Sequence, residues 1–162
     1  MKKYIPIVTI CLVCLFFASC AARKYSNTLS CKTVADSLAS EIGDPEDYEF
    51  YTDEDIKYTF EDISLFEECS FLHSSSSDDI DEVCVIKAKT ESDAKKILAQ
   101  ADRYLKDVCE QKRTFLKNYM PDELEKLDCA KAKQFDNYVI IAMADKDDVK
   151  SIFDKADELL KK

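Results

Sequence analysis

The sequence predicts an α+β domain, an antiparallel four-stranded sheet of two hairpins covered on one face by amphipathic helices. Three observations carry this. Two pairs of segments rich in β-branched and aromatic residues are each split by a polar turn, at 65–89 and 129–144. Three other stretches place apolar residues at helical spacing. With 46% hydrophobic and 10% aromatic residues the chain can build a core, and one Gly and three Pro leave no room for a flexible interdomain linker. We therefore expect one domain over 30–162, preceded by a targeting segment at 1–19 and a tether at 20–29.

The first helix starts at Ser30, with Cys31, Val34, Ala35, Leu38 and Ile42 on one face. Gly43 and then Pro45 read as its stop. The acidic, aromatic stretch 46–63 reads as a turn followed by a short helix around Asp53–Tyr58. Residues 65–73 and 81–89 form the first predicted hairpin, joined by a serine-rich run at 74–79 too polar to bury. A turn centred between Ser76 and Ser77 places Cys69 opposite Cys84, close enough to bridge as a disulfide. The same register sets Glu82 against Phe71.

Thr90 and Asp93 cap a long helix whose inner face reads Ala94, Ile97, Leu98, Ala101, Leu105, Val108, Phe115 and Tyr119. Pro121 ends it near Tyr119, because the residue before a proline avoids helical geometry. Residues 121–128 restart as a turn of helix with Pro at its first position. A second hairpin turns at Asp136-Asn137, both tolerant of left-handed backbone. The last helix is capped near Asp145 and carries Val149, Ile152, Phe153, Ala156, Leu159 and Leu160 on one face.

The formal charge is −10, and removing residues 1–19, which hold Lys2 and Lys3 and no acid, makes it −12. Such a surface repels phosphate backbones, so nucleic acid is not an expected partner. A single glycine cannot build a phosphate-cradling loop, a dinucleotide fingerprint or a nucleophile elbow. A single histidine, His73, excludes a multi-histidine metal site, and its flexible serine-rich neighbourhood does not hold triad geometry. The acid clusters at 53–55, 78–82 and 145–148 lack the calcium loop's central glycine, and read as helix caps and solvated loop. No cofactor, metal or catalytic residue is expected. Among the acids Glu82 stands out, since it opens an otherwise apolar strand; Lys87 or Arg103 is the expected partner.

The targeting segment combines Met1-Lys2-Lys3 with sixteen uncharged residues at 4–19, short of the roughly 20 that span a bilayer. Its end, "FASC" at 17–20, resembles the bacterial lipobox. That resemblance implies cleavage before Cys20 and lipid attachment to its sulfur, giving a membrane anchor on the outer face of the cell. Phe17 stands where Leu is usual, so cleavage near Ala21-Ala22 and free secretion is the alternative, and a membrane span the lesser one. Cys11 and Cys14 fall within the apolar run and leave with it. Five cysteines then remain beside Cys20: Cys31, Cys69, Cys84, Cys109 and Cys129.

The order of "DEVCVIKAK", a long helix, "NYMPDE" and "NYVIIAMADKDD" resembles a clostridial-type family of small lipoproteins, domain of unknown function 4358. Its markers here are Glu82, the Tyr119-x-Pro121-x-Glu123 motif and Tyr138-Val139, within roughly 45–160. The resemblance implies an envelope lipoprotein and supplies no catalytic residues. The expected function is therefore a lipid-anchored, non-enzymatic binding or interaction domain, partnered by an envelope protein or wall component. The alternative is a small envelope hydrolase using the carboxylates of Glu82 and Glu123.

Overall fold

The computed structural model describes residues 24–162; the predicted signal at 1–19 and Cys20 lie outside the described residues. Helix α1 (Cys31–Ala39) starts where Ser30 accepts a hydrogen bond from the Thr33 amide, and buries Cys31, Val34, Ala35 and Leu38. Gly43 does not end α1 in a left-handed conformation, as no glycine has positive φ. The space above it is what matters. A Cβ there would lie 3.1 Å from Tyr48 Oη and 3.2 Å from its Cε2, so glycine lets the Tyr48 ring lie against the turn.

Strand β1 (Tyr48–Phe50) follows, then helix α2 (Asp53–Thr59). Thr52 and Asp55 close a reciprocal capping box at the start of α2. Strands β2 (Phe66–Ser74) and β3 (Glu82–Ala88) form the first hairpin. The long helix α3 (Glu91–Tyr119) is capped by Thr90, whose side chain accepts from the Asp93 amide, and it ends before Pro121 as predicted. After a 3-10 turn come α4 (Leu124–Cys129), β4 (Lys131–Phe135), β5 (Tyr138–Met143) and α5 (Lys146–Leu160). In the β4–β5 turn only Asp136 takes positive φ, 49°.

The sheet has five strands in the order β1-β2-β3-β5-β4, with every neighbouring pair antiparallel. The four-strand expectation missed β1, a three-residue edge strand too short to show alternation. Helices cover both faces rather than one. On one side Val83, Val85, Tyr138, Ile140 and Ala142 meet α1 and α5. On the other, Cys84, Ile86, Val139 and Ile141 meet Ala94, Ile97, Ala101 and Leu105 of α3, with Ile56 of α2. The reason lies in the central strands: β5 is buried at all six positions and β3 at all but Lys87. A strand that is apolar on both faces needs cover on both.

A third apolar cluster, Ile80, Leu116, Leu127 and Met143, ties the far half of α3 and α4 to the β2–β3 hairpin end. Leu116 is the inward residue there. Phe115 and Tyr119, expected on the inner face, are 54% and 74% exposed and pack on each other with ring centroids 5.0 Å apart. The helix runs past the sheet edge, and its buried stripe drifts from Leu105 to Leu116.

Of the segment expected as a tether, the described residues 24–29 lie on the domain. Tyr25 is buried and sets its ring edge-on to Phe135 at 5.2 Å. Its amide donates to Asp136 Oδ2 at 2.8 Å and its hydroxyl to Asp157 Oδ1 at 2.5 Å. A main-chain bond from Ser26 to Leu160 and a bridge between Tyr25 and Lys161 fasten it beside the C-terminus. No helix among the described residues is long and apolar enough to cross a membrane.

Candidate functional site

The polar residues singled out in the sequence gather at one end of the sheet, where β2 and β3 meet the middle of α3 and the start of α4. Register decides what each of them touches. The β2–β3 pairing sets His73 against Glu82 and Phe71 against Cys84, two residues along from the predicted register. A two-residue slip keeps each side chain on its own face but changes its partner. Cys69 is paired with Ile86, so Cys69 and Cys84 are diagonal neighbours rather than opposed. Their sulfurs lie 4.0 Å apart as thiols, about twice the length of a disulfide bond. Cys84 is fully buried, and burial pushes its thiol well up.

Glu82 is buried, its side chain 4% exposed. One carboxylate oxygen accepts from Tyr104 Oη at 2.6 Å, the other from Lys112 Nζ at 3.1 Å. The expected partners serve other acids: Lys87 pairs with Glu67 at 2.9 Å and Arg103 with Glu61 at 2.8 Å. Tyr104 and Lys112 lie two helical turns apart on α3, on the face that turns toward the start of β3. Desolvation and the neighbouring Glu82 carboxylate hold the Tyr104 phenol protonated far above its usual range. Tyr51 stacks at 4.5 Å on His73, and burial followed by the Glu82 charge pushes its hydroxyl up to about 12. His73 Nδ1 is 2.8 Å from the Ser74 carbonyl oxygen and donates to it. A cleft of 310 Å³ between α2 and α3 opens onto Glu82, Tyr104 and Lys112, and a smaller one of 80 Å³ joins His73, Asp81 and Glu82.

Beside this lies a cluster that sequence reasoning missed. Lys126 of α4, its side chain 9% exposed, places Nζ 2.7 Å from Asp79, 2.8 Å from Asp81 and 2.9 Å from Glu123. Burial opposes its charge, but the three carboxylates outweigh burial and hold the ammonium above the ordinary lysine range. Glu123 also accepts from the Ile80 amide at 3.2 Å, which ties the 3-10 turn before α4 to the hairpin loop. Asp81 is the most buried of the three acids. Its Oδ1 is buried, with Lys126 Nζ as its one close cation, and its Oδ2 accepts from Tyr48 Oη at 3.4 Å. Burial pushes it up to about 6 against the pull of Lys126, with Asp79 and Glu123 adding repulsion. The i, i+3 spacing of Glu123 and Lys126 was visible in the sequence; the contacts with Asp79 and Asp81 cross more than forty residues and were not.

Glu82 and Glu123 therefore sit in adjoining but separate clusters, each fastened to its own lysine. No group of His, Cys, Asp and Glu among the described residues has the geometry of a metal site.

The fold and this site define a small α+β domain with a buried ionic end. Residues 43–144 match the model of a domain of unknown function, DUF4358, and the chain belongs to that family. The match runs from the turn after α1 to the end of β5, and so takes in the sheet and α3 while stopping short of α5. No curated protein and no solved structure matches the chain.

Proposed function

We propose that the protein is a lipid-anchored, extracytoplasmic envelope protein whose domain works by binding rather than by catalysis. The observation that carries the binding half is the state of Glu82. Both of its oxygens are engaged, by the Tyr104 hydroxyl and the Lys112 ammonium. A general acid or base needs a free path to the reacting proton, and this carboxylate is instead the keystone between β3 and α3. Glu123 meets both Lys126 and the Ile80 amide through one oxygen, Oε2. These ties favour a structural role for Glu82 and Glu123, the two carboxylates of the hydrolase reading.

The anchoring half rests on the apolar run ending in "FASC" and on the position of the described N-terminus. Four residues lie between Cys20 and the docked Tyr25, so the two are at most roughly 18 Å apart. An anchor at Cys20 would hold the domain close to the membrane by the end carrying Asp136, Asp157 and Lys161. The Glu82 end would face away.

Growth with labelled palmitate is expected to label the wild-type chain and leave Cys20→Ala unlabelled and released from the membrane fraction. Equal labelling of the two, or release of the wild type, would overturn the anchor. Glu82→Gln is expected to leave any cellular phenotype of the gene intact as long as the protein accumulates normally.

A further inference from the structure

A groove of 740 Å³ lies between β4 and α5. Ala130, Val149 and Phe153 give it an apolar lining, and Lys131, Lys133, Lys146 and Lys150 line it together with the acids Asp128 and Asp154. In a chain with ten more acids than bases, four lysines against two aspartates around one groove is a local reversal of sign, and Asp128 is itself paired with Arg113. Lys150 is paired with Asp154 at 2.6 Å. Among the described residues, Lys131, Lys133 and Lys146 have no carboxylate within ion-pair distance; Lys133 lies instead over the rings of Phe135 and Phe153.

The second feature is the strand itself. β4 is the last strand of the sheet, with β5 as its one partner. In a two-residue hairpin the residues flanking the turn exchange main-chain hydrogen bonds, and the pattern alternates away from it. Phe135, Lys133 and Lys131 therefore bond β5, while the N–H and C=O groups of Ala132 and Gln134 face outward. No other main-chain group among the described residues pairs with them. Lysines on an edge strand are also a common guard against aggregation, but a guard requires neither an apolar lining nor further lysines on the facing helix.

We infer that β4 and α5 form a docking site for an extended acidic segment of a partner protein, which adds to β4 as a sixth strand. The inference deepens the binding reading above and does not depend on the anchor. Main-chain pairing supplies the register, alternate side chains of the added strand reach into the groove, and its carboxylates meet the lysines. The chain's own first 23 residues contain no acid and do not fit. A second copy pairing β4 to β4 would set lysine against lysine. An anionic polymer without peptide groups would satisfy the lysines but not the open edge.

The test is fluorescence anisotropy with the full-length protein in detergent. The probe is a labelled synthetic peptide of about ten residues, long enough to cover one strand, in which Thr alternates with Glu and Leu. Saturable binding is expected, weakened at least about tenfold in Lys131→Glu/Lys146→Glu, two exposed positions. Ala132→Pro removes an outward N–H without touching the β5 ladder and is expected to abolish peptide binding. Circular dichroism of each variant matching the wild type is the control for folding. No saturable binding to the wild type, or equal binding by Ala132→Pro, would overturn the proposal. Tighter binding of inorganic polyphosphate than of peptide, unaffected by Ala132→Pro, would replace it with a plain anion site. A concentration-dependent dimer that the peptide does not disperse would replace it with self-association. Because the assay needs no lipid, failure of the anchor leaves its outcome unchanged.

Discussion

Asp81 is where local chemistry and stability are most tightly linked. Lys126 faces three carboxylates, so the cluster is over-supplied with negative charge, and the most buried acid holds its proton most strongly. Its folded value of about 6 lies above the ordinary aspartate value of 3.8. Between those two values the folded state binds more protons than the unfolded one. Stability from this group is therefore fully present below about pH 4 and is lost as pH rises through 6. Asp79 acts in the opposite sense. Burial alone would raise it, but Lys126 and its hydrogen bonds lower it, so its contribution is lost only as pH falls below the ordinary aspartate range. Urea midpoints are expected to fall as pH rises from 5 to 7, and Asp81→Asn, which mimics the protonated form, is expected to flatten that dependence. An Asp81→Asn profile parallel to the wild type would show that the slope comes from elsewhere. The wider arrangement was only partly legible in sequence. Glu82 stood out because a carboxylate interrupted an apolar strand, but its partners depended on register, and a polar serine run carries no register information.

At the scale of elements, α3 shows what periodicity can and cannot give. Thr90, Asp93 and Pro121 fixed its ends correctly because capping and proline geometry are local. Its inner face was predicted well from Ala94 to Leu105, where the sheet lies beneath it. Beyond Gln111 the surface it meets changes from sheet to α4, and there no local pattern says which residue turns inward. Leu116 is 1% exposed within the third apolar cluster, while Phe115 is on the surface. Leu116→Ala is expected to cost about 2–5 kcal/mol in urea unfolding, and Phe115→Ala under about 1 kcal/mol. The reverse order would mean that the aromatic pair, not Leu116, seals this end. The second missed feature, cover on both faces of the sheet, was available in principle. The runs "VCVI" at 83–86 and "YVIIAM" at 138–143 are apolar without alternation, which marks strands buried on both sides.

At the scale of the molecule, the two ends of the sheet are built from different residues. The β4–β5 turn end gathers Tyr25, Asp136, Asp157 and the C-terminal lysines, so residues 24 and 162 lie side by side. The β2–β3 hairpin end holds the ionic clusters, and the lysine groove runs along the side between them. If Cys20 carries the anchor, this layout fixes the domain's orientation, because Tyr25 prevents the preceding residues from acting as a long free leash. A fluorophore introduced at residue 161 or at residue 77 tests it in liposomes bearing the lipidated protein and a headgroup quencher. Strong quenching is expected at 161 and weak quenching at 77, which the length of β3 places at least roughly 20 Å farther out. Tyr25→Ala is expected to narrow that difference by freeing residues 24–29 from Phe135, Asp136 and Asp157. Equal quenching at the two sites in the wild type would mean that the domain lies on its side, with the β4 groove turned toward or away from the bilayer. The same liposomes could then decide between those two attitudes, since an edge strand pressed to the membrane cannot accept a peptide strand and one facing outward can.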